Sequence, residues 1–171
     1  MEQILMIRRA LVRDVKEIKS LNDRYREEGN LLPRSLTDIY ENVRDFFVID
    51  KDGKIGGCVA LHVVWEDLAE IKSLVIDREF RKKGYGDRLF LTAMREARDL
   101  QVADVFALTA IPGYFTAKGF KEIDKSVLPH KVWAECVKCP KFPDCDEVAV
   151  IANVTEWFAT YGAKFGTEEV A

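Results

Sequence analysis

One short glycine-containing segment constrains this chain more than any other. Residues 81–86 read Arg-Lys-Lys-Gly-Tyr-Gly, between an apolar run that predicts a strand (68–76) and a run that predicts a helix (87–100). Two glycines let the backbone turn so that several N–H groups point the same way, and the helix start adds positive dipole. With three basic side chains around it, the segment predicts a pyrophosphate-binding loop.

The spacing excludes two better-known phosphate-binding loops. A Walker loop needs Gly-Lys-Ser/Thr, whereas Gly86 is followed by Asp87 and Arg88, and a Rossmann fingerprint needs a third glycine. The segment resembles the Arg/Gln-x-x-Gly-x-Gly/Ala motif of the GNAT acetyltransferases, whose loop binds the pyrophosphate of coenzyme A. Six such residues are also typical of a solvated basic turn, but the strand before and the helix after favour a binding site.

Length and charge narrow the expected class of protein. The 171 residues fit one domain spanning 1–171, with a core at about 4–151 and an amphipathic helix at about 152–162. A net charge of -3 gives no reason to expect nucleic acid as a partner. The chain has no apolar run long enough to span a bilayer and no apolar signal segment. We expect a cytoplasmic monomer or homodimer that binds no membrane.

The order of apolar patterns predicts an α/β (α+β) fold. Strands are predicted at 4–11, 46–50, 55–64, 68–76, 102–109, 120–123 and 147–151, with hairpins before residue 76. Capping signatures predict helices starting at Asp14, with Glu17 three residues on, and at Ser35. The helix at 87–100 joins two strands as a parallel βαβ crossover. The expected product is a mixed, mostly antiparallel sheet with helices on both faces, in the element order of the GNAT fold.

Four separated blocks extend the resemblance to a narrower group. They look like the acetyltransferase domain of bacterial N-acetylglutamate synthases in its short, single-domain form, and they lie at 57–62, 69–76, 105–109 and 114–120. The resemblance implies that the strands on either side of the helix splay apart and hold the pantetheine arm of acetyl-CoA between them. It also implies that the N–H of Val75 or a neighbour polarises the thioester carbonyl.

The resemblance and the loop together give a set of residues for the donor substrate. The loop supplies N–H groups for the pyrophosphate, and the preceding strand edge supplies contacts for the pantetheine. The expected acetyl-CoA-binding residues are Leu74, Val75, Ile76, Arg81, Lys82, Lys83, Gly84, Tyr85, Gly86 and Asp87.

Glu70 is the candidate catalytic base. An amine is mostly protonated at neutral pH, so acetyl transfer needs a group that accepts its proton, directly or through water. Glu70 occupies the position that the resemblance assigns to this base. The alternative from the residues alone is a strand carboxylate paired with Lys72, two positions on along the same face.

The acid that protonates the leaving thiolate is not identified by the sequence. Many GNAT enzymes place a tyrosine four residues before the Gly-Phe of the last helix, and that position is Phe115 here. Tyr114 is adjacent, but one step along a helix rotates a side chain by about 100°, which predicts that it points elsewhere. Water or the hydroxyl of Ser73 or Thr109 remain as alternatives.

The resemblance implies L-glutamate as the acceptor, and a site for it should present cationic side chains to the carboxylates. Arg9, Arg34 and Lys72 are the expected binding residues for L-glutamate, which carries two carboxylates. The predicted reaction gives N-acetylglutamate, the first step of arginine biosynthesis. One alternative is a GNAT enzyme for another small amine or a protein N-terminus, and the other is a non-catalytic acyl-CoA-binding sensor.

The cysteines offer a further interpretation. Cys58 lies in a predicted strand, and three more crowd the C-terminal end at Cys136, Cys139 and Cys145. A reducing compartment argues against disulfides, so this cluster, with His130 upstream, is a possible structural zinc site. Two Cys-x-x-Cys pairs would be strong evidence for zinc, but this chain has only one, so we favour a loop with incidental thiols and no metal.

Overall fold

A seven-stranded sheet organises the computed structural model, which describes residues 5–29, 33–137 and 145–165. The strands are β1 (Leu5–Arg9), β2 (Phe46–Lys51), β3 (Lys54–Trp65), β4 (Leu68–Ile76), β5 (Asp104–Thr109), β6 (Lys121–Ile123) and β7 (Val148–Asn153). The helices are α1 (Val15–Gly29), α2 (Leu36–Glu41), α3 (Tyr85–Asp99), α4 (Pro112–Thr116), α5 (His130–Val137) and α6 (Val154–Thr160). Spatially the strands run β1-β2-β3-β4-β5-β7-β6.

The strand pairing confirms the predicted mixed sheet. Neighbours are antiparallel throughout except β4 and β5, which are parallel and are joined by the crossover through α3. The hairpin between β2 and β3 turns at Asp52 (φ 51°) and Gly53 (φ 87°). Two adjacent left-handed residues match the right-handed twist of the strands, as a two-residue hairpin requires.

Helices cover both faces of the sheet, as predicted. On one face α3 packs on inward residues of β3 and β4 such as Leu61 and Ile71, and Trp157 of α6 joins the same core. On the opposite face Ile18 of α1 and Ile39 of α2 pack together with β2 and β3. The C-terminal helix therefore packs on its own sheet. None of the described helices is long and apolar enough to cross a membrane.

One predicted helix start differs from the structure and another is confirmed. Asp14 does not cap α1, because it ends a 3₁₀ turn and its carboxylate accepts from the Leu11 N–H (2.7 Å) and from Arg8 (2.7 Å). Its pKa is lowered because these hydrogen bonds outweigh the opposing effect of burial, which is the largest single influence. At α2 the prediction is confirmed, since Ser35 Oγ accepts from the Asp38 N–H (3.0 Å).

Two further elements were misplaced or missed. α3 starts at Tyr85 rather than Asp87, because Gly84 (φ 79°) takes the left-handed conformation at the residue before the helix. Helix α5 was not predicted at all. It brings Val132 onto a small core that also contains Phe106 of β5 and Leu68 of β4.

An irregularity in β4 sets the geometry of the site. Cys58 pairs with Val75 and Ala60 with Lys72, so two residues of β4 lie opposite the single residue between them in β3. Ser73 within this bulge has a positive φ of 57°. The bulge reverses the alternation of side chains, because Ile71 faces the α3 core whereas Val75 faces the α1 core.

β4 and β5 pair only at their first residues and then diverge. Their register runs from Leu68 opposite Asp104 to Glu70 opposite Phe106 and no further, although β4 continues to Ile76. This confirms the splay expected from the family resemblance. Beyond Glu70 the facing edges of the two strands are therefore available to a ligand rather than to each other.

Candidate functional site

A cleft of about 320 Å³ opens where β4 and β5 diverge. Its walls come from β4 (70–74 and 76), the end of β5 and the following turn (108–111), Tyr114 and Phe115 of α4, and four single residues, Arg34, Arg81, Gly86 and Glu147. Because Glu70 and Lys72 alternate with residues facing α3, they project on the opposite face of the sheet. The cleft thus reaches from the α3 and α4 side through the sheet to the α2 and α5 side.

The glycine loop forms the mouth of the cleft on the α3 side. Lys82 (φ 61°) and Gly84 (φ 79°) are both left-handed, which turns the backbone sharply before the first N–H groups of α3. Arg81 Nε donates to the Ile76 carbonyl (3.0 Å), and Lys83 Nζ donates to the Glu79 carbonyl (3.1 Å). Exposed N–H groups, a helix start and tethered cations make this mouth a site for an anion.

Lys118 is a component of the mouth that sequence reasoning missed. Its ammonium is 2.9 Å from the Asp87 carboxylate and 4.0 Å from the centre of the Tyr114 ring. The ion pair offsets the negative charge of Asp87 beside the loop. The available sequence signal was a lysine four residues after Tyr114, just beyond the end of α4.

Arg34 enters the cleft from the other face of the sheet. Its side chain is 14% exposed, Nε donates to Ser73 Oγ (2.9 Å), and Nη1 binds Asp38 (3.1 Å). Its Nη2 group has no hydrogen-bond partner among the described residues. A guanidinium fixed on two sides in this way presents its remaining donors to a carboxylate.

Two buried carboxylates line the same end of the cleft. Glu70 is 8% exposed and Glu147 is 6% exposed. Glu147 immediately precedes β7, whose first residue pairs with Thr109 at the end of β5. The sequence analysis missed Glu147. Its only signal was an acidic residue at the start of an apolar strand, which is equally typical of a surface position.

Two hydroxyls lie on either side of the cleft. Ser73 Oγ accepts from Arg34, and Thr109 Oγ1 accepts from the Ile111 N–H (3.0 Å). Since each oxygen already accepts, each O–H proton can be donated into the cleft. Both residues are 7% exposed, so neither hydroxyl lies open to bulk water.

Tyr114 lines the cleft together with Phe115, and its hydroxyl lies near Gly86 at the loop end. The two rings pack edge to face with their centres 5.3 Å apart, so they form one aromatic wall of the cleft. Phe115 is the more buried ring and joins the α3 core.

The structure brings some of the predicted site residues together and separates others. Four of the predicted cofactor residues line the cleft, namely Leu74, Ile76, Arg81 and Gly86. Five others lie in the loop or the first turn of α3 outside its lining, namely Lys82, Lys83, Gly84, Tyr85 and Asp87. The side chain of Val75 is buried on the α1 face.

Some of the predicted substrate-binding residues line the cleft and one lies far from it. Arg34, Lys72 and the candidate base Glu70 line the cleft. Arg9 lies on β1, three strands from β4, with its guanidinium 2.5 Å from Glu96 of α3 and 4.8 Å from the centre of the Phe47 ring.

The C-terminal cysteines give no metal centre among the described residues. Cys136 lies near the end of α5 and Cys145 shortly before β7, whereas Cys139 falls outside the described residues. Within the described ranges no group of three or more His, Cys, Asp or Glu side chains is arranged to hold a metal ion. Cys58 lies apart from them, fully buried behind the β4 bulge.

Comparison with known proteins defines the class. Residues 13–120 match the Acetyltransferase (GNAT) family, and the chain belongs to this family of acetyl-CoA-dependent acetyltransferases. It is 41% identical over 148 residues to an uncharacterized N-acetyltransferase, CT2212, of Chlorobaculum tepidum, covering 86% of this chain and 96% of that protein. It is 38% identical to the amino-acid acetyltransferase of Mycobacterium tuberculosis, covering 76% of each.

Solved structures agree with the sequence matches. The Rv2747 protein of Mycobacterium tuberculosis, solved with coenzyme A, aligns with a TM-score of 0.72 at 32% identity, over 86% of this chain and 98% of that chain. N-acetylglutamate synthase from Neisseria gonorrhoeae, complexed with coenzyme A and N-acetyl-glutamate, aligns with a TM-score of 0.77 at 25% identity. That alignment covers 90% of this chain but 36% of the synthase.

Proposed function

We propose that this chain acetylates the α-amine of an amino acid, with L-glutamate as the first candidate. The product would be N-acetylglutamate, the first intermediate of arginine biosynthesis. The observation that carries the proposal is the cleft that passes through the sheet. It has a basic glycine loop at one end, and a fixed guanidinium and buried carboxylates at the other.

The donor occupies the α3 side of the cleft in this proposal. The pyrophosphate of acetyl-CoA binds the loop at 81–87, and the pantetheine follows the free edge of β4 past Ile76 and Leu74. The thioester then lies at the β4 bulge. There the N–H of Val75 or a neighbour donates to the carbonyl oxygen as negative charge develops on it.

The acceptor occupies the opposite side. Arg34 and Lys72 provide two cations for the two carboxylates of glutamate. Glu70 accepts a proton from the ammonium, directly or through water, and the amine lone pair forms a bond to the thioester carbon. Collapse of the tetrahedral adduct breaks the carbon–sulfur bond. The thiolate of coenzyme A then takes a proton from water, Ser73 or Thr109, and the second proton of the former ammonium, lost as the amide forms, restores that group.

The relatives support an amino-acid acceptor. An amino-acid acetyltransferase is 38% identical to this chain over three quarters of its length. The synthase that was solved with N-acetyl-glutamate aligns with 90% of this chain. These likenesses favour glutamate over other acceptors but do not extend to the remaining 64% of the synthase, which this chain does not cover (100% minus 36%).

Glu147 favours a second candidate acceptor. A second buried carboxylate beside Glu70 suits a ligand with an additional cationic group, such as a diamine, better than it suits a dicarboxylate. Arg34 and Lys72 argue for the opposite charge. The two candidates therefore differ in the net charge of the acceptor.

A substrate panel tests the proposal. Purified protein is mixed with acetyl-CoA and, separately, each of the twenty amino acids and a series of diamines, and thiol release is followed. We expect the highest kcat/KM with L-glutamate. Highest activity with a diamine would replace the first candidate with the second. Coenzyme A binding without turnover of any acceptor would instead identify an acyl-CoA sensor.

A further inference from the structure

The hydroxyl of Tyr114 is a buried polar group without a partner. Its oxygen is shielded from solvent, and no described residue gives or accepts a hydrogen bond there. A buried hydroxyl left unpaired costs roughly 1–3 kcal/mol, so proteins rarely keep one without a use. Tyr114 also lines the cleft. A ligand that enters the cleft and displaces the side chains that shield the oxygen is therefore the partner considered for this hydroxyl.

The position of the hydroxyl is well defined. A Cβ placed on Gly86 would lie 3.9 Å from the Tyr114 oxygen and 3.7 Å from Ile76 Cγ1. The tyrosine thus reaches from α4 across to the first turn of α3, over the glycine of the loop. The space between these three residues is where the cleft meets the loop.

The ring is held in place from several sides. Phe115 packs against it at 5.3 Å and Phe90 at 6.3 Å, both nearly perpendicular. Lys118 Nζ lies 4.0 Å from the ring centre and is anchored by Asp87. A ring fixed by contacts on its faces and edges presents its hydroxyl in one direction, which is the requirement for a directional hydrogen bond.

We propose that the Tyr114 hydroxyl donates a hydrogen bond to the 4′-phosphopantetheine part of acetyl-CoA where it passes Gly86. This role rests on the proposed function, which puts the cofactor in the cleft. An acceptor oxygen of the phosphate or of the adjoining amide satisfies the orphaned hydroxyl. Tyr114 is then a residue that binds and positions the donor.

The same geometry separates this role from proton donation to the thiolate. The hydroxyl lies beside Gly86 at the loop end of the cleft, whereas the proposed thioester position is at the β4 bulge around Ser73. Burial also raises the pKa of Tyr114 well above its usual value near 10, and Asp87 adds to this. Transfer of its proton to a thiolate, whose conjugate acid has a pKa near 8.5, would be strongly uphill.

The test removes one oxygen atom and measures binding of cofactor fragments. Tyr114→Phe should bind coenzyme A and 4′-phosphopantetheine about 2- to 12-fold more weakly, as expected for one neutral hydrogen bond. Adenosine 3′,5′-bisphosphate, which lacks the pantetheine, should bind as before. The kcat at saturating acetyl-CoA should stay within about threefold of the parent. Without ligand the variant should be at least as stable, since it lacks the orphaned hydroxyl.

A matched variant serves as the control for removing a tyrosine hydroxyl outside the cleft. Tyr161→Phe changes a ring that packs on Trp157 and against Gly119 outside the cleft, and it should leave all three affinities unchanged. Parental coenzyme A affinity in Tyr114→Phe would overturn the assignment, and so would an equal loss for the bisphosphate. A fall in kcat of a hundredfold with unchanged affinity would make Tyr114 an acid instead. If the parent protein itself fails to bind coenzyme A, the proposed function fails first.

Discussion

Gly86→Ala should separate the stability of this fold from its ability to bind acetyl-CoA. Gly86 is the second residue of α3, and it is not among the residues with positive φ. The new methyl group would meet its nearest neighbours, Ile76 and Tyr114, at 3.7 and 3.9 Å, which is ordinary contact. The folded protein therefore accepts alanine without rearrangement, but the methyl group projects into the space assigned to the cofactor arm.

Both effects can be given a size. Alanine in place of glycine in a helix stabilises a protein by about 0.5–1 kcal/mol, which raises the Tm of a chain of this length by about 1–4 °C. Forcing one extra methyl group against a well-packed ligand costs about 1–3 kcal/mol, so the Kd for coenzyme A should rise about 5- to 150-fold. Stability and affinity are thus expected to move in opposite directions.

Thermal unfolding without ligand and titration calorimetry with coenzyme A measure the two effects. Gly113→Ala is the matched control, because Gly113 is also the second residue of a helix, and a Cβ there would have nothing within 4 Å. The control should gain similar stability and keep the parental affinity. A Kd for Gly86→Ala within twofold of the parent would refute the path of the cofactor past Gly86.

Three further changes probe the base, the acceptor site and the bulge. Glu70→Gln should lower kcat by roughly 10²- to 10⁴-fold and leave the acetyl-CoA affinity unchanged. The kcat should partly recover at higher pH, where more of the amine is neutral. A near-parental kcat at pH 7 would exclude Glu70 as the base. Arg34→Lys should raise the KM for the acceptor by about 10- to 100-fold, because the planar fork of guanidinium donors is lost. The KM for acetyl-CoA should stay unchanged. An equal rise in both KM values would place Arg34 outside the acceptor site. Burial raises the pKa of the Cys58 thiol to about 12. The folded state therefore keeps a proton that the unfolded chain loses above about pH 8.5. As a result, the free energy of unfolding should fall between pH 9 and 12. Denaturant titrations over that range should show a shallower fall in Cys58→Ala, and identical slopes in the two proteins would contradict the buried, protonated thiol.

Local signals explain which elements the sequence predicted well. The bounds of β4 were predicted at residues 68–76 because a run of apolar residues ends at clear breaks on both sides. Asp52 and Gly53 marked the hairpin through their tolerance of positive φ, and Ser35 marked the start of α2. In each case the residues that determine the conformation adjoin one another in the chain.

The bulge and α5 lacked such a signal. Ser73 takes a left-handed conformation that its residue type does not favour, and no glycine or proline in β4 marks the bulge. α5 presents Val132 to a core assembled from β4 and β5, distant in sequence. Tertiary packing decides both features.

In the candidate site, too, features set by local sequence could be predicted, and features set by tertiary packing could not. The loop could be located because glycines and a helix start are local properties of the chain. Arg9 and Arg34 could not be ranked by sequence, since both are arginines near predicted element ends. Their positions follow from the sheet order, which carries Arg9 to the edge strand beside Glu96 and leaves Arg34 against β4.

The passage of the cleft through the sheet has an evolutionary consequence. Under the proposed function, residues that choose the acceptor lie just before α2, just before β7 and on one face of β4, whereas residues that hold the donor belong to the loop, α3, α4 and the other face. The two groups lie on opposite faces of the sheet, and changes more than about 7–10 Å apart without shared partners usually act independently. A lineage can therefore exchange one amine for another by altering Arg34, Lys72 or Glu147 while its use of acetyl-CoA stays intact, so new acceptors arise without an inactive intermediate.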